Sequence, residues 1–193
     1  MKEIKDHYFF KAKKEGYPAR SVYKLIEAQK RFRFIKAGDR ILDLGASPGS
    51  WSKYAAKSVG KRGLVVAVDL HGLKVSADNI FFFKKSIFDE DIEDILARYT
   101  PFDVVLSDMA PKTSGRRDID HYRSIELATS ALEIASRFLK KGGSLYCKFF
   151  DGEDFVELRK KAQEVFGSVK VFKPKSSRSE SVEKFLFCTK KKQ

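Results

Sequence analysis

Short apolar runs bounded by glycine, proline or charge recur along the chain, and between them apolar residues return at every third or fourth position. The first pattern marks buried strands and the second amphipathic helices. Strands are predicted at Arg40–Leu44, Leu64–Val68, Asn79–Phe83, Asp103–Ser107, Ser144–Phe149, Val169–Lys173 and Lys184–Thr189. A helix is predicted at Ser21–Arg33, with Val22, Leu25, Ile26 and Gln29 on one face. Others follow at about Ser50–Val59, Asp89–Arg98, Tyr122–Leu139 and Gly152–Phe166. Lys140-Lys141-Gly142-Gly143 reads as the basic last turn and glycine stop of the longest helix. Strands alternating with helices predict an α/β/α sandwich around a mostly parallel, seven-stranded sheet. The polar loop Pro174–Glu183 between the last two strands has no room for a crossover helix, so the last strand should run antiparallel. A ligand crevice is then expected outside the carboxyl ends of the strands.

Composition narrows the classes. With 193 residues, 42% hydrophobic and 17 Phe, the chain can bury a substantial core, which excludes wholesale disorder. One domain over residues 1–193 is expected: a basic helical extension over 1–39, a core over 40–189 and a basic tail over 190–193. No apolar run approaches the roughly 20 residues of a membrane span. The charged start Met1–His7 lacks the apolar stretch of a signal peptide. His7, His71 and His121 are scattered and Cys147 and Cys188 are isolated, so no metal set or disulfide framework is expected. A reducing cytoplasmic location fits that cysteine usage.

The net charge is +13, and its placement says more than its size. Residues 1–40 carry +7, residues 168–193 carry +6, and residues 41–167 balance to zero. Charge segregated in this way marks a polyanion-binding surface, because each neutralised phosphate releases condensed counterions. Tyr8, Phe9, Phe10 and Tyr17 are interleaved among the N-terminal cations, which favours nucleic acid over a membrane surface.

Candidate chemistry concentrates at strand ends. Ile41–Trp51 runs from the first strand through a turn into a helix, where Gly45 and Gly49 permit close backbone approach to a ligand. Asp69 ends the second strand, where a carboxylate can hold both ribose hydroxyls. The spacing is G-x-x-x-G rather than the G-x-G-x-x-G of dinucleotide sites, which counts against an NAD-dependent oxidoreductase. Asp43, just before the turn, would repel a pyrophosphate but suits a cationic ligand such as S-adenosylmethionine. Two more charges stand where a packed sheet should have none: Asp108, past the buried run Val104–Ser107, and Lys148, inside Leu145–Phe150. A buried ammonium is costly without a carboxylate partner, and both residues should emerge at one rim, where they can pair.

The ordered set Ser21-Val-Tyr-Lys24-Leu, Asp43-Leu-Gly45-Ala-Ser-Pro48-Gly49-Ser-Trp51, Ser107-Asp108-Met-Ala-Pro111, Lys148-Phe-Phe and Ser176-Ser-Arg through Ser181-Val-Glu183 resembles the FtsJ/RrmJ family of RNA ribose 2′-O-methyltransferases. The resemblance runs from about residue 5 to residue 189 and implies a Rossmann-like class I methyltransferase fold. It implies a catalytic tetrad of Lys24, Asp108, Lys148 and Glu183. It also implies S-adenosylmethionine as cofactor, near Asp43, Gly45, Pro48, Gly49, Trp51, Asp69, Ser86 and Asp108. Ser86 departs from the pattern: the family commonly has an aspartate there, near the adenine, and a serine hydroxyl or the backbone must take its place. The short chain is most similar to bacterial enzymes that modify a uridine in the A loop of large-subunit rRNA. That implies rRNA within the ribosomal subunit as partner; no metal and no membrane are expected from the residues above, and small size with no obvious apolar surface helix makes a monomer the expectation. A transfer-RNA ribose methyltransferase and a non-enzymatic RNA-binding or ribosome-assembly protein are the alternatives. Asp108-Met-Ala-Pro111 argues against adenine amino-nitrogen methylation, which usually comes with an Asn/Asp-Pro-Pro-aromatic turn.

A ribose hydroxyl is a poor nucleophile at neutral pH, so the catalyst must align it, exclude water and manage one proton. A lysine acts as general base only when neutral, and flanking carboxylates oppose that state. Lys148 is therefore expected to stay charged, held by Asp108 and Glu183, orienting the hydroxyl and stabilising developing alkoxide. Expected RNA-backbone contacts are Lys11, Lys13, Lys14, Arg20, Arg31, Lys173, Lys175 and Arg178, with Arg116 and Arg117 also facing the substrate. Tyr8, Phe9, Tyr17 and Phe150 are candidates to stack an unpaired base.

Overall fold

The computed structural model describes residues 2–178 and 180–193, with side chains from His7 onward. Met1, in the basic extension, and Ser179, in the polar loop before the last strand, lie outside the described residues. The elements in chain order are α1 (Lys2–Lys14), α2 (Val22–Phe32), β1 (Arg40–Leu44), α3 (Ser50–Val59), β2 (Leu64–Asp69), β3 (Ile80–Lys84) and α4 (Ile92–Ala97). There follow β4 (Phe102–Ser107), α5 (Arg117–Phe138), β5 (Leu139–Phe150), α6 (Phe155–Val165), β6 (Phe166–Phe172) and β7 (Glu183–Lys191). The strands form one sheet in the order β3-β2-β1-β4-β5-β7-β6. As predicted, β7 is antiparallel to both neighbours, and the remaining pairings are parallel. Strand order reverses between β1 and β4, so a crevice opens there at the carboxyl rim.

Period-two alternation sorts the strand side chains between two cores. Leu42, Leu44, Val66, Val68, Leu145 and Phe149 pack with residues of α4, α5 and α6, while Ile41, Val65, Leu106, Tyr146, Phe185 and Phe187 pack with α2 and α3. Burying each large apolar side chain contributes about 1.5–3 kcal/mol at most. The same parity turns Asp43, Lys148 and Glu183 toward the side of α2 and α3. Helix α1 forms because no glycine or proline interrupts residues 2–15, and it docks through buried Ala12 and through Tyr8, whose ring lies 5.2 Å from that of Tyr23.

The longest helix departs from its predicted bounds. It begins at Arg117 rather than Tyr122, because the Asp120 carboxylate accepts the Ser114 backbone N–H (2.7 Å) and hydroxyl (2.9 Å) and draws the chain into the helix early. It ends at Phe138, and Gly142-Gly143 are not its stop. Leu139 is already extended and pairs with Phe102, and Lys140–Gly143 form a bulge in β5 opposite Asp103. β6 likewise begins earlier than predicted, at Phe166, whose buried ring belongs to the core.

Candidate active site

Parallel β4 and β5 set Ser107 beside Cys147, so the next residues, Asp108 and Lys148, leave the sheet together. Lys148 Nζ donates to Asp108 Oδ1 at 2.9 Å and to the Asp108 backbone oxygen at 2.6 Å. The lysine side chain is 6% exposed and the carboxylate 17%. An ammonium has three donors, so one is left for a further partner. Glu183 opens β7 opposite Phe150, diagonal to Lys148 on the same face. It pairs with Lys24, whose Nζ lies 2.7 Å from the carboxylate, and not with Lys148. The expectation that Glu183 helps hold the Lys148 ammonium is thus corrected: the four groups form two ion pairs. The cause is the placement of α2, which sets Lys24 Nζ 5.8 Å above the Phe185 ring, next to Glu183.

Aromatic rings underlie both pairs. Tyr146 stacks on Phe185 at 4.8 Å and on Trp51 at 5.6 Å. The Tyr146 hydroxyl donates to the Lys24 carbonyl at 3.1 Å, and Trp51 Nε1 donates to the Ser21 carbonyl at 2.9 Å, pinning the start of α2. Burial pushes the Tyr146 hydroxyl well above its ordinary range, so it serves as a donor. The polar loop before β7 is shaped from the same helix. Glu27, three residues beyond Lys24, accepts the backbone N–H groups of Lys175 (2.6 Å) and Ser176 (3.0 Å). Arg20 donates to the Ser176 carbonyl at 2.8 Å, and Ser177 Oγ donates to Glu183 Oε1 at 3.1 Å. Glu27 carried no signal in the sequence beyond its helical spacing from Lys24.

Over the carboxyl ends of β1 to β4 lies a cavity of about 370 Å³. Of the residues expected near the cofactor, Gly45, Asp69, Ser86 and Asp108 line it; Asp43, Pro48, Gly49 and Trp51 do not. The Asp69 carboxylate is fixed by the backbone N–H groups of Ser47 (2.9 Å) and His71 (2.7 Å), one on each oxygen. Ser86 Oγ accepts the Phe88 N–H at 3.1 Å. Leu70, Ile87, Phe88 and Met109 supply apolar walls that nothing in the sequence pattern singled out. Asp43 lies beneath, fully buried, with Oδ2 accepting the Ser52 hydroxyl at 2.6 Å and Oδ1 without a partner among the described residues. Burial, reinforced by the charges of Asp108 and Asp69 against the Ser52 bond, pushes the Asp43 carboxyl up to about 7.

The glycines of the turn also play a part beyond the one expected. Gly45 and Gly49 have φ of +73° and +106°, and a Cβ would meet Met109 Cγ at 2.6 Å and Val75 Cγ2 at 2.4 Å, respectively. They let the chain approach itself: the connection after β2 crosses the turn, with Lys74 N–H donating to the Pro48 carbonyl at 2.9 Å.

The sequence model of the FtsJ-like methyltransferases matches residues 17–191. The chain belongs to this family. This FtsJ-like methyltransferase is 52% identical over 191 residues to the ribosomal RNA large subunit methyltransferase E of Nitratidesulfovibrio vulgaris, a match covering 97% of this chain and 94% of the relative. It is 48% identical to the protein of the same name from Bdellovibrio bacteriovorus, over 97% of each chain. Among solved structures, a ribosomal RNA methyltransferase from Plasmodium falciparum aligns with a TM-score of 0.80 at 25% identity, over 91% of this chain and 98% of that one. Fibrillarin of Aeropyrum pernix, with S-adenosyl-L-methionine bound, aligns at a TM-score of 0.62 and 17% identity, over 88% and 76% of the two chains, and shows the fold alone.

The FtsJ-like methyltransferase depends on S-adenosylmethionine, and the cavity suits it. Asp69 is held with lone pairs to spare for a ribose diol, and the apolar walls suit a purine. The wall carries two carboxylates, Asp69 and Asp108, and two lysines, Lys85 and Lys112, so it is balanced in charge rather than acidic and can meet a ligand that carries charges of both signs. Among the described residues no group of His, Cys, Asp or Glu is placed to hold a metal ion, and no helix is long and apolar enough to cross a membrane. Cys147 and Cys188 are free and buried, and burial pushes the Cys147 thiol up to about 12.

The predicted RNA-facing residues divide. Lys11, Lys13, Lys14, Lys175, Arg178 and Arg117 are exposed. Arg20 serves the loop before β7, Lys173 donates to the Ser181 carbonyl at 3.0 Å, and Arg116 pairs with Asp118 at 3.2 Å. Arg31 lies over the rings of Phe32 and Phe172. Phe9 is exposed, whereas Tyr8, Tyr17 and Phe150 are half-buried.

Proposed function

We propose that this methyltransferase acts on the 2′-hydroxyl of a ribose in large-subunit ribosomal RNA, with Lys24, Asp108, Lys148 and Glu183 as its catalytic residues. The observation that carries this reading is the pair of shielded ion pairs at the carboxyl rim, beside a cavity suited to the methyl donor. The acceptor is supported by the names of relatives 46–52% identical to this chain, ribosomal RNA large subunit methyltransferases. The finer assignment is a uridine in the A loop, modified in the assembled subunit, in the cytoplasm, by a monomer.

Asp69, Ser86 and Asp108 would hold S-adenosylmethionine, which when bound would supply a methyl group on a positively charged sulfur. Asp108 gives Lys148 both a carboxylate and a backbone oxygen, which fixes the direction of its remaining donor. The remaining Lys148 donor would hold the 2′-oxygen and stabilise the negative charge that grows there as its proton passes to solvent; that charge is spent as the oxygen–carbon bond forms and the carbon–sulfur bond breaks, which leaves a neutral thioether. A preorganised donor of this kind is worth about 10²–10³ in rate. Glu183 keeps lone pairs for a ribose hydroxyl, while Lys24 neutralises its charge beside an anionic substrate.

The test is transfer from labelled S-adenosylmethionine to unmodified large ribosomal subunits, free large-subunit rRNA and bulk transfer RNA, followed by digestion to nucleosides. A 2′-O-methylnucleoside from the subunits or their rRNA, absent with Lys148→Ala, is the expected result. Label in transfer RNA alone, or on a base, would sink the reading.

A further inference from the structure

A second cavity, of about 420 Å³, lies where α2 ends, toward the edge of the sheet opposite the catalytic rim. Arg31, Arg33, Lys36, Lys140 and Lys170 line it, against only two acids, Asp39 and Asp103. Both acids are already engaged. Asp103 accepts the Arg40 backbone N–H at 2.7 Å and pairs with Lys140; Asp39 accepts the Lys36 backbone N–H at 2.7 Å. Among the described residues no ion pair engages the side chains of Arg31, Arg33, Lys36 or Lys170. Like charges gathered in excess of their counter-charges cost stability unless a polyanion is there to meet them.

The wall is held in shape. Arg33 sits at φ 51°, in the left-handed region, capping α2 through its N–H to the Gln29 carbonyl at 2.8 Å. The Gln29 amide then pairs with both backbone groups of Ile35, at 2.7 and 2.9 Å, which fixes the stretch that carries Arg33 and Lys36. The bulge in β5 brings Lys140 in from the other side. Arg31 follows Lys24 by seven residues, so the cavity starts about 10 Å down α2 from the catalytic pair. Arg31 also covers Phe172 at 5.4 Å, and the exposed Lys173 and Lys175 follow that residue. The cations therefore form a track from the catalytic mouth down the side of α2. The rings beside them are spent on one another: Phe32 stacks on Phe187 at 4.2 Å and Phe34 lies 5.0 Å from Phe187. The track thus offers charge without a base-stacking platform.

We infer that this cavity is a second RNA-binding site, which takes backbone phosphates of the substrate at a distance from the reacting nucleotide, without reading bases. The inference rests on the proposed reading of RNA as the substrate. It assigns part of the excess charge to a grip on a large folded RNA rather than to the reaction.

The test combines Arg33→Gln, Lys36→Gln and Lys170→Gln in one variant, with thermal denaturation to establish that it folds. Three lost phosphate contacts should make the plot of log affinity against log salt for an rRNA fragment shallower by about 2, and weaken binding on the order of 10-fold at moderate salt. KM for large subunits should rise, kcat should stay within about twofold, and S-adenosylmethionine affinity should hold, because these residues lie outside the catalytic and cofactor sites. If the triple variant unfolds, Lys170→Gln alone should change the slope by about one third as much. Unchanged RNA affinity and slope would overturn the site even if the wild type methylates rRNA. A wild type that methylates no RNA, yet binds it more tightly than the variant does, would sink the reaction while the site stands. Weaker pyrophosphate binding with unchanged RNA binding would make the cavity a small-anion site and overturn the inference. So would a raised KM for subunits with unchanged affinity for naked rRNA, which would point to a ribosomal protein.

Discussion

Lys148 and Asp108 meet because two adjacent parallel strands end in register, 40 residues apart in sequence. Lys24 and Glu183 meet across 159 residues, because a helix, a polar loop and the start of an antiparallel strand are packed against one another. The sheet alone positions the first pair, and moving it would break a ladder of backbone hydrogen bonds. The second needs Glu27, Arg20 and Ser177 to hold the loop, so its geometry rests on side chains. A rigid pair suits stabilisation of charge at one fixed atom, which requires placement within about 0.5 Å. A pair built on a loop suits the substrate side, where a bulky RNA must enter and leave.

The strongest way to break this comparison is Lys148→Ala. Transfer should fall by about 10²–10³ or more, with cofactor affinity little changed, measured as single-turnover rate and by calorimetry. Lys148→Arg should be nearly as poor, since a planar guanidinium cannot address the Asp108 carboxylate and backbone oxygens from the same point. A Lys148→Ala enzyme within tenfold of the wild type would remove the fixed donor from the mechanism.

Next come Lys24→Met and Glu183→Gln. Each should cost about 10–100-fold in kcat/KM for RNA, and the double variant should be little worse than either single one, because the pair acts as a unit. Asp108→Asn combined with Glu183→Gln should instead come closer to multiplying, as expected of two separate pairs. Strong non-additivity across that second combination would mean that four groups act as one network.

Legibility in the sequence follows the same division. Asp108 and Lys148 stand out because a charge inside or just past an apolar strand run is expensive and demands a partner. Lys24 and Glu183 read as ordinary surface charges, and only the ordered family pattern singles them out. The sheet was readable from alternating periods, and antiparallel β7 from a loop too short for a helix. Gly142-Gly143 misled because a glycine pair looks the same whether it stops a helix or bulges a strand; the choice is made by Leu139 pairing with Phe102, a tertiary fact. The apolar cavity walls were hidden for a related reason, since Leu70, Ile87 and Phe88 are marked only by where their strands end. The charge runs at the two ends pointed to RNA but not to a division of their cations between the catalytic mouth and a second cavity.

Behind the first pair, Asp43 gives a pH test. Its carboxyl stands near 7 in the fold, against an ordinary value of 3.8, because burial disfavours the charged form. Between those values the folded chain keeps a proton that the unfolded chain has lost, so this group makes stability fall as pH rises from about 4 to 7, then level off. Asp43→Asn should remove that contribution. Its Tm should match the wild type near pH 4 and exceed it by on the order of 10 °C at pH 8, the rise from 3.8 to about 7 being worth roughly 4 kcal/mol and each kcal/mol about 2–4 °C in a chain of this size. A difference independent of pH would mean that the carboxyl is ionised throughout.

The smallest effect expected, and the one aimed most directly at the contrast between the pairs, is that of Glu27→Gln. The substitution keeps the shape but replaces two charge-assisted acceptors for Lys175 and Ser176 with a single neutral one, a loss of about 1 kcal/mol. If the loop positions Glu183, then kcat/KM for RNA should fall a few-fold, while the cofactor dissociation constant stays unchanged. Glu27→Asp, which keeps the charge but shortens the reach, should recover the loss only in part. The decisive comparison is Glu27→Gln in the background of Glu183→Gln. With the second pair already broken, loosening the loop should cost little more, whereas in a Lys148→Ala background it should still cost its full few-fold. Equal costs in both backgrounds would mean that Glu27 acts on stability alone, and that the second pair is as firmly set by the fold as the first.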